Sequence, residues 1–238
     1  MTEPIRPSTV LPALRTPFTL TTSDGQTLIG EVAAPLTNPT TALLCLHPNP
    51  TGGGMMDSHV YKKAANRLPD MAGVTVIRFN TRGTTSEAGT STGEYDGGVA
   101  EKYDVQAAID YCFDVLKVSE LWIVGWSFGT ELALKYGIDH PILGAILLSP
   151  PLHRATDADL ARWATSEKTL VALVPELDDY LQPEEAKRRF AIIPHAEIIG
   201  IDGAKHLWVG ESATSRVLNE IVKVVNPSEY PLPTHWSA

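Results

Sequence analysis

Five residues, Gly125-Trp126-Ser127-Phe128-Gly129, stand between an apolar run, Leu121 to Val124, and the helix-compatible stretch Thr130 to Lys135. A serine with glycines two places before and two places after it, at a strand-to-helix junction, suits a sharp turn that holds the hydroxyl out from the backbone. A Cβ at 125 or 129 would meet the backbone folding back on itself, so the small residues are part of the geometry. At a helix N-terminus the backbone N–H groups and the positive end of the dipole favour a developing oxyanion. Gly and Ser can also do no more than cap a helix. The strand before and the helix after favour Ser127 as a nucleophile for acyl transfer.

A serine hydroxyl is a weak nucleophile until a base takes its proton, and a carboxylate must hold that base in one tautomer. Among seven histidines, His206 stands out, in the loop Asp202-Gly203-Ala204-Lys205-His206 between the last apolar run and the last helical segment. Loops after the carboxyl ends of parallel strands gather on one side of a sheet, which brings position 206 toward 127. The candidate carboxylates lie between them in Val174-Pro-Glu-Leu-Asp178-Asp179-Tyr180, where Asp178 and Asp179 compete and Glu176 comes third.

One oxyanion donor is expected from the N–H of Phe128, the residue after the nucleophile. The second should come from His47-Pro48-Asn49-Pro50-Thr51-Gly52-Gly53-Gly54, which follows the apolar Leu43 to Leu46. Proline has no N–H, which leaves Asn49 or Thr51. His47 reads as an orienter of this loop. The three glycines are not followed by Gly-Lys-Ser/Thr, so a phosphate loop is set aside. His47, His59, His140, His153 and His195 form no His-x-x-x-His or similar spacing, and a metal site is set aside with it.

These groups need a scaffold. The chain has 238 residues, 43% hydrophobic and 20% charged, the range of one large globular domain or two small ones. Short apolar runs alternate with longer segments of helical period, the signature of βαβ units around a mostly parallel sheet. Phe18–Thr22 and Gln26–Ala33 flank the turn-forming Ser23-Asp24-Gly25 and predict an antiparallel hairpin at a sheet edge. Buried strands are expected at Thr41–Leu46, Val74–Phe79, Leu121–Val124, Leu143–Leu148, Thr169–Val174 and Ala196–Ile201. Helices are expected at Ser58–Leu68, Val99–Leu116, Ser127–Tyr136, Pro183–Phe190 and Ala213–Val225. Val105, Ala108, Ile109, Cys112 and Leu116 form one core stripe, and Leu218, Ile221, Val222 and Val225 another. No linker divides the chain, so residues 1–238 read as a single domain with extended Pro-rich tails at about 1–14 and 227–238.

The net charge of −9 and the lack of a basic face argue against a nucleic-acid partner. The start of the chain lacks signal-peptide character and no apolar run reaches the length of a membrane span, so a soluble cytoplasmic protein with no membrane partner is expected. Cys45 and Cys112 sit in apolar stretches and read as buried thiols in a reducing compartment.

The ordered set His47-Pro-Asn-Pro-x-Gly-Gly, Arg78-Phe-Asn-x-Arg82-Gly83, Gly93-Glu-Tyr-Asp96-x-Gly98 and Gly125-Trp-Ser-Phe-Gly129 resembles the small bacterial α/β-hydrolase esterases of the dienelactone-hydrolase-like group. The resemblance covers about residues 18 to 225, and the order Ser127, Asp, His206 is that of the α/β-hydrolase triad. It implies an α/β fold with a central, mostly parallel sheet of about eight strands, helices on both faces, and ester hydrolysis with neither metal nor organic cofactor. Alignment with the family's acid segment puts Pro175 where a glycine usually stands and selects Asp178; the family's second oxyanion donor falls on Asn49. In such esterases the loop after the fourth strand lines the site, which implies a role for Arg82 and its neighbours; from the residues themselves, Asn80, Arg82 and Asp96 are read here as loop-bracing hydrogen-bond partners.

Between Ser149 and Thr169 there is room for one short helix near Asp157 to Thr165, so no large lid domain is expected. An open site suits small-molecule esters of short to medium acyl length. Trp126, Phe128, Pro150, Pro151, Leu152, Tyr180, Leu207 and Trp208 are candidates for an apolar acyl wall, with core packing as the alternative. The same triad could serve a thioesterase, a small-peptide hydrolase or a perhydrolase, and an idle scaffold used for binding is the reading of another class.

Overall fold

A computed structural model of the chain describes residues 2–37 and 41–237. In chain order it runs β1 (Thr2–Pro4), β2 (Leu14–Thr21), β3 (Thr27–Ala34), β4 (Thr41–Leu46), α1 (His59–Ala72), β5 (Thr75–Phe79), β6 (Thr85–Ser86) and β7 (Gly89–Thr90). It continues α2 (Glu101–Asp110), β8 (Glu120–Trp126), α3 (Phe128–Tyr136), β9 (Gly144–Leu148), α4 (Asp157–Ala164), β10 (Thr169–Leu177), α5 (Pro183–Phe190), β11 (Glu197–Lys205), α6 (Glu211–Val225) and β12 (His235–Ser237).

Eight strands form the main sheet in the order β11-β10-β9-β8-β4-β5-β3-β2. The edge hairpin β2–β3 is antiparallel, β3 meets β5 antiparallel, and the remaining pairs are parallel. From β4 the chain crosses to β5 on one side and later returns to β8 on the other. The sheet therefore changes winding direction between β4 and β8, and a crevice opens beyond their carboxyl ends, where ligands of open α/β sheets bind.

The central strands are apolar throughout because both faces are covered. On β4, Leu44 and Leu46 enter a core shared with α2, α3, α4 and α5, while Leu43 and Cys45 enter a second core with α1 and α6. Each fully buried leucine contributes roughly 2 kcal/mol of hydrophobic stabilisation. Leu218, Ile221, Val222 and Val225 of α6 are all buried, as are Val105, Ala108, Ile109 and Cys112; Leu116 is half-buried. Burial pushes both cysteine thiols up to about 12.

The boundaries differ from the sequence-based ones where a local feature is compensated at long range. Helix α1 runs past Leu68 to Ala72, with Pro69 inside it. Proline cannot donate to the carbonyl of Ala65, and the Arg15 guanidinium takes that carbonyl instead, at 3.0 Å. The helix ends at Gly73, whose φ of 61° is left-handed. Helix α2 starts at Glu101 and its last turn widens into a π-helical turn over Tyr111–Val115. Strands β10 and β11 extend three and four residues beyond their expected ends at Val174 and Ile201.

The terminal segments pair with each other: β1 and β12 form an antiparallel ribbon, with Thr2 opposite Ser237. Among the described residues between β9 and β10 the one helix is α4, which lies against α3 through a bond from Trp163 Nε1 to the Leu134 carbonyl, 2.9 Å. Among the described residues no helix is long and apolar enough to cross a membrane.

Candidate active site

Ser127 ends β8 and begins α3 with φ 51° and ψ −114°, a backbone conformation that costs a side-chain-bearing residue about 1–3 kcal/mol. The chain is committed to it by close approach on both sides. A Cβ on Gly125 would lie 2.5 Å from the Gly129 carbonyl oxygen, so this glycine lets the turn close on itself. A Cβ on Gly129 would lie 1.9 Å from the Leu46 carbonyl oxygen. That second glycine answers to a neighbour instead of to its own turn: it lets α3 sit against the end of β4.

Ser127 Oγ lies 2.8 Å from His206 Nε2, and His206 Nδ1 lies 2.8 Å from Asp178 Oδ2 and 3.1 Å from Oδ1. Strand register brings the last two together. Pro175 faces Ile201 and Leu177 faces Lys205, so a two-residue step in β10 matches a four-residue step in β11. This bulge absorbs Asp202 to Ala204, residues expected to form a loop, and His206 leaves directly from the end of the strand beside Asp178. Asp178 is buried, and its Oδ1 accepts the Tyr180 N–H at 2.8 Å. Asp179 and Glu176 are exposed; Glu176 accepts the Gly203 N–H at 2.7 Å and ties the bulge to β10.

The main chain of His206 is held as closely as its ring. Its carbonyl accepts from Trp126 Nε1 at 3.2 Å and from Ser149 Oγ at 3.0 Å. Ser149 has a left-handed φ of 51°.

Phe128 is the first residue of α3. Asn49 starts a short 3-10 turn, and its Oδ1 accepts both the N–H and the hydroxyl of Thr51, at 3.1 and 3.0 Å. The Thr51 amide is thereby engaged within the loop. His47 is buried, with Nδ1 2.7 Å from the Pro48 carbonyl and Nε2 3.0 Å from the Thr81 N–H. An amide can only donate, so Nε2 is the acceptor and Nδ1 carries the proton. Burial pulls this imidazole down to about 4, and it stays neutral as it fixes the Pro48 carbonyl.

Asn80 accepts the Met56 N–H at 2.9 Å and donates to Ser86 at 2.9 Å. Arg82 bonds Asp104 with its backbone N–H, Nε and Nη2 and grips Asp24 of the edge hairpin with both Nη atoms. These hydrogen bonds from Arg82 hold the Asp24 carboxyl at about 2. Asp96 accepts the Ala100 N–H at 3.1 Å. All three brace loops.

Residues 41–202 match the alpha/beta hydrolase fold family. The chain belongs to the α/β-hydrolase fold family. An uncharacterized protein of Rickettsia prowazekii is 36% identical over 112 residues, which are 46% of this chain and 45% of that protein; the match spans about half the length of this relative. An α/β serine hydrolase without a lid from Xanthomonas campestris superposes with a TM-score of 0.75 at 21% identity, covering 94% of this chain and 99% of that one. An esterase from Pyrococcus furiosus superposes with a TM-score of 0.71 at 19% identity, covering 90% and 93%. These likenesses concern the fold.

In this α/β-hydrolase a cleft of ≈ 450 Å³ opens over Ser127 and His206. Of the candidates for its wall, Trp126, Tyr180 and Leu207 line it, whereas Phe128, Leu152 and Trp208 are buried in the cores and Pro150 and Pro151 are buried outside its lining. Sequence reading missed Ser58, His59 and Val209, which also line it. It also missed Glu131, fully buried in α3, whose carboxylate accepts the N–H groups of His153, Arg154 and Ala155 at 2.6, 3.1 and 2.5 Å. A first-turn glutamate reads in sequence as an ordinary dipole-compatible charge, so no signal set it apart. Ser149 carried one weak signal, a polar residue directly after an apolar strand.

Proposed function

We propose that the chain is a serine hydrolase that cleaves small carboxylic esters of short to medium acyl length. The observation that carries the reading is the hydrogen-bonded relay Ser127, His206, Asp178, opening on the cleft. His206 Nε2 takes the proton of Ser127 Oγ as the oxygen attacks the ester carbonyl, and Asp178 stabilises the imidazolium. The N–H groups of Phe128 and Asn49 receive the oxyanion; engagement of the Thr51 amide by Asn49 Oδ1 supports Asn49 over its neighbour. The imidazolium then gives its proton to the alcohol oxygen as the C–O bond breaks, leaving an acyl-Ser127. Water, deprotonated by His206, repeats the attack and frees the acid.

No step of this cycle calls on a cofactor. The cleft's exposed apolar walls and the seating of α4 against α3 support substrates that enter from solution. Labelling by a fluorophosphonate tests the reading. Wild type should label and turn over p-nitrophenyl esters, and Ser127→Ala should do neither, with a loss of several orders of magnitude in turnover. A folded wild type that neither labels nor hydrolyses esters would overturn it and favour a binding scaffold.

A further inference from the structure

The cleft has two unlike flanks. Sheet order places the loop after β4, with Pro48, Asn49 and the glycines Gly52 to Gly54, on one side of Ser127. On the other side come the segments after β10 and β11, with Tyr180, His206, Leu207 and Val209. This second flank is apolar and exposed: Tyr180, Leu207 and Val209 are 58%, 54% and 75% accessible. Exposed apolar side chains gathered at the mouth of a cleft mark a surface that is covered by a ligand.

The flank is also held in place. Between Leu207 and Val209, Trp208 is fully buried, with a left-handed φ of 52°. Its backbone N–H donates to the Lys205 carbonyl at 2.9 Å, and its carbonyl lies 3.1 Å from His59 Nε2. A buried indole thus anchors the two neighbours that stand in the cleft. The Tyr180 ring meets the His206 ring edge-on, with centroids 4.6 Å apart.

We infer that Tyr180, Leu207 and Val209 form the subsite for the leaving alcohol, and that the substrates are uncharged esters of apolar alcohols. The inference rests on the ester-hydrolase reading and adds to it the direction of the substrate. In the tetrahedral intermediate the carbonyl carbon carries the Ser127 oxygen, the oxyanion, the acyl group and the alcohol oxygen. The oxyanion points to the Phe128 and Asn49 amides. When the C–O bond breaks, its electron pair stays on the alcohol oxygen, which takes the proton from His206 Nε2. That oxygen must therefore lie within hydrogen-bond reach of His206. The carbon chain it carries then runs along the residues that flank His206, and these are the apolar three.

The test separates the two halves of the substrate. Ethyl, butyl and hexyl acetate vary the alcohol; ethyl acetate, butanoate and hexanoate vary the acyl group. Wild type should show kcat/KM rising roughly tenfold or more along the alcohol series. In Leu207→Asn and Val209→Thr, surface changes that preserve shape, the rise should shrink to about twofold through KM, while the acyl series keeps its wild-type slope. Fluorophosphonate labelling, whose leaving group is fluoride, reads whether Ser127 is still activated in each variant. A loss that follows the acyl series, with labelling intact, overturns the assignment of the flank and leaves the hydrolase reading standing. A wild type that neither labels nor cleaves any of these esters overturns both.

Discussion

The indole Nε1 of Trp126 donates to the main-chain carbonyl of His206 across 3.2 Å, so the residue just before Ser127 holds the residue that would deprotonate it. Ser149 donates to the same carbonyl from the end of the next strand, β9. Without these donors a buried carbonyl would lack partners and the His206 imidazole would lose its fixed footing.

Ser149 allows that footing to be separated from fold stability. Ser149→Gly removes the hydroxyl, worth about 1 kcal/mol, and relieves a left-handed backbone worth a similar amount. The melting temperature should stay within about 3 °C of wild type. Ester turnover should nonetheless fall roughly tenfold in kcat, with KM unchanged. Wild-type kcat in the glycine variant would deny Ser149 a positioning role.

The neighbouring carboxylates divide in the same assay. Asp178→Asn replaces the acceptor of the His206 Nδ1 proton and should lower kcat by about three to four orders of magnitude. Asp179→Asn changes an exposed charge and should alter it less than about twofold. Equal losses in the two variants would contradict the register-based assignment.

His47 should give the fold a pH-dependent component. Its imidazole is held down to about 4 by burial, against an ordinary value of 6.5, so the unfolded chain binds the proton first. The stability it contributes is fully present above pH 6.5 and is lost as pH falls toward 4, amounting to about 3 kcal/mol. Urea unfolding across that window should show a steeper loss for wild type than for His47→Gln. Parallel profiles would mean that the imidazole titrates alike in both states.

Glycines in and near the site should differ sharply in tolerance. Gly129→Ala sets a methyl group 1.9 Å from the Leu46 carbonyl oxygen and should cost more than about 3 kcal/mol or prevent folding. Gly52→Ala meets nothing within 4 Å and should leave the melting temperature within about 3 °C of wild type. Thermal unfolding of the purified variants reads both.

Much of this architecture is legible in sequence because local and global signals agree. The apolar strands, the edge hairpin and the glycine spacing around Ser127 each have a short-range cause. The relation of Asp178 to His206 does not: it depends on a bulge, and β11 carries no composition that announces two extra residues opposite β10. Pro69 misled the end of α1 because its compensation comes from Arg15, far away in the chain. Glu131 and Ser149 escaped notice because their partners are backbone groups of other loops. Wall and core stay undivided in the sequence for the same reason: it shows Leu207, Trp208 and Val209 as adjacent but not which one turns into the core.

The contact between Gly129 and the end of β4 has a consequence for redesign. Helix α3 and the strand that launches the Asn49 loop touch backbone to backbone, and His47 pins the first step of that loop. The spacing of the two amides proposed to receive the oxyanion is therefore set by backbone contacts at the end of β4 and by the return of the loop, where the Gly54 N–H donates to the Asn49 carbonyl at 2.9 Å. Insertions that reshape the entrance therefore belong at Gly52 and Gly53, where a side chain would meet nothing within 4 Å, and not at Gly54, whose Cβ would lie 2.0 Å from the Pro48 carbonyl oxygen.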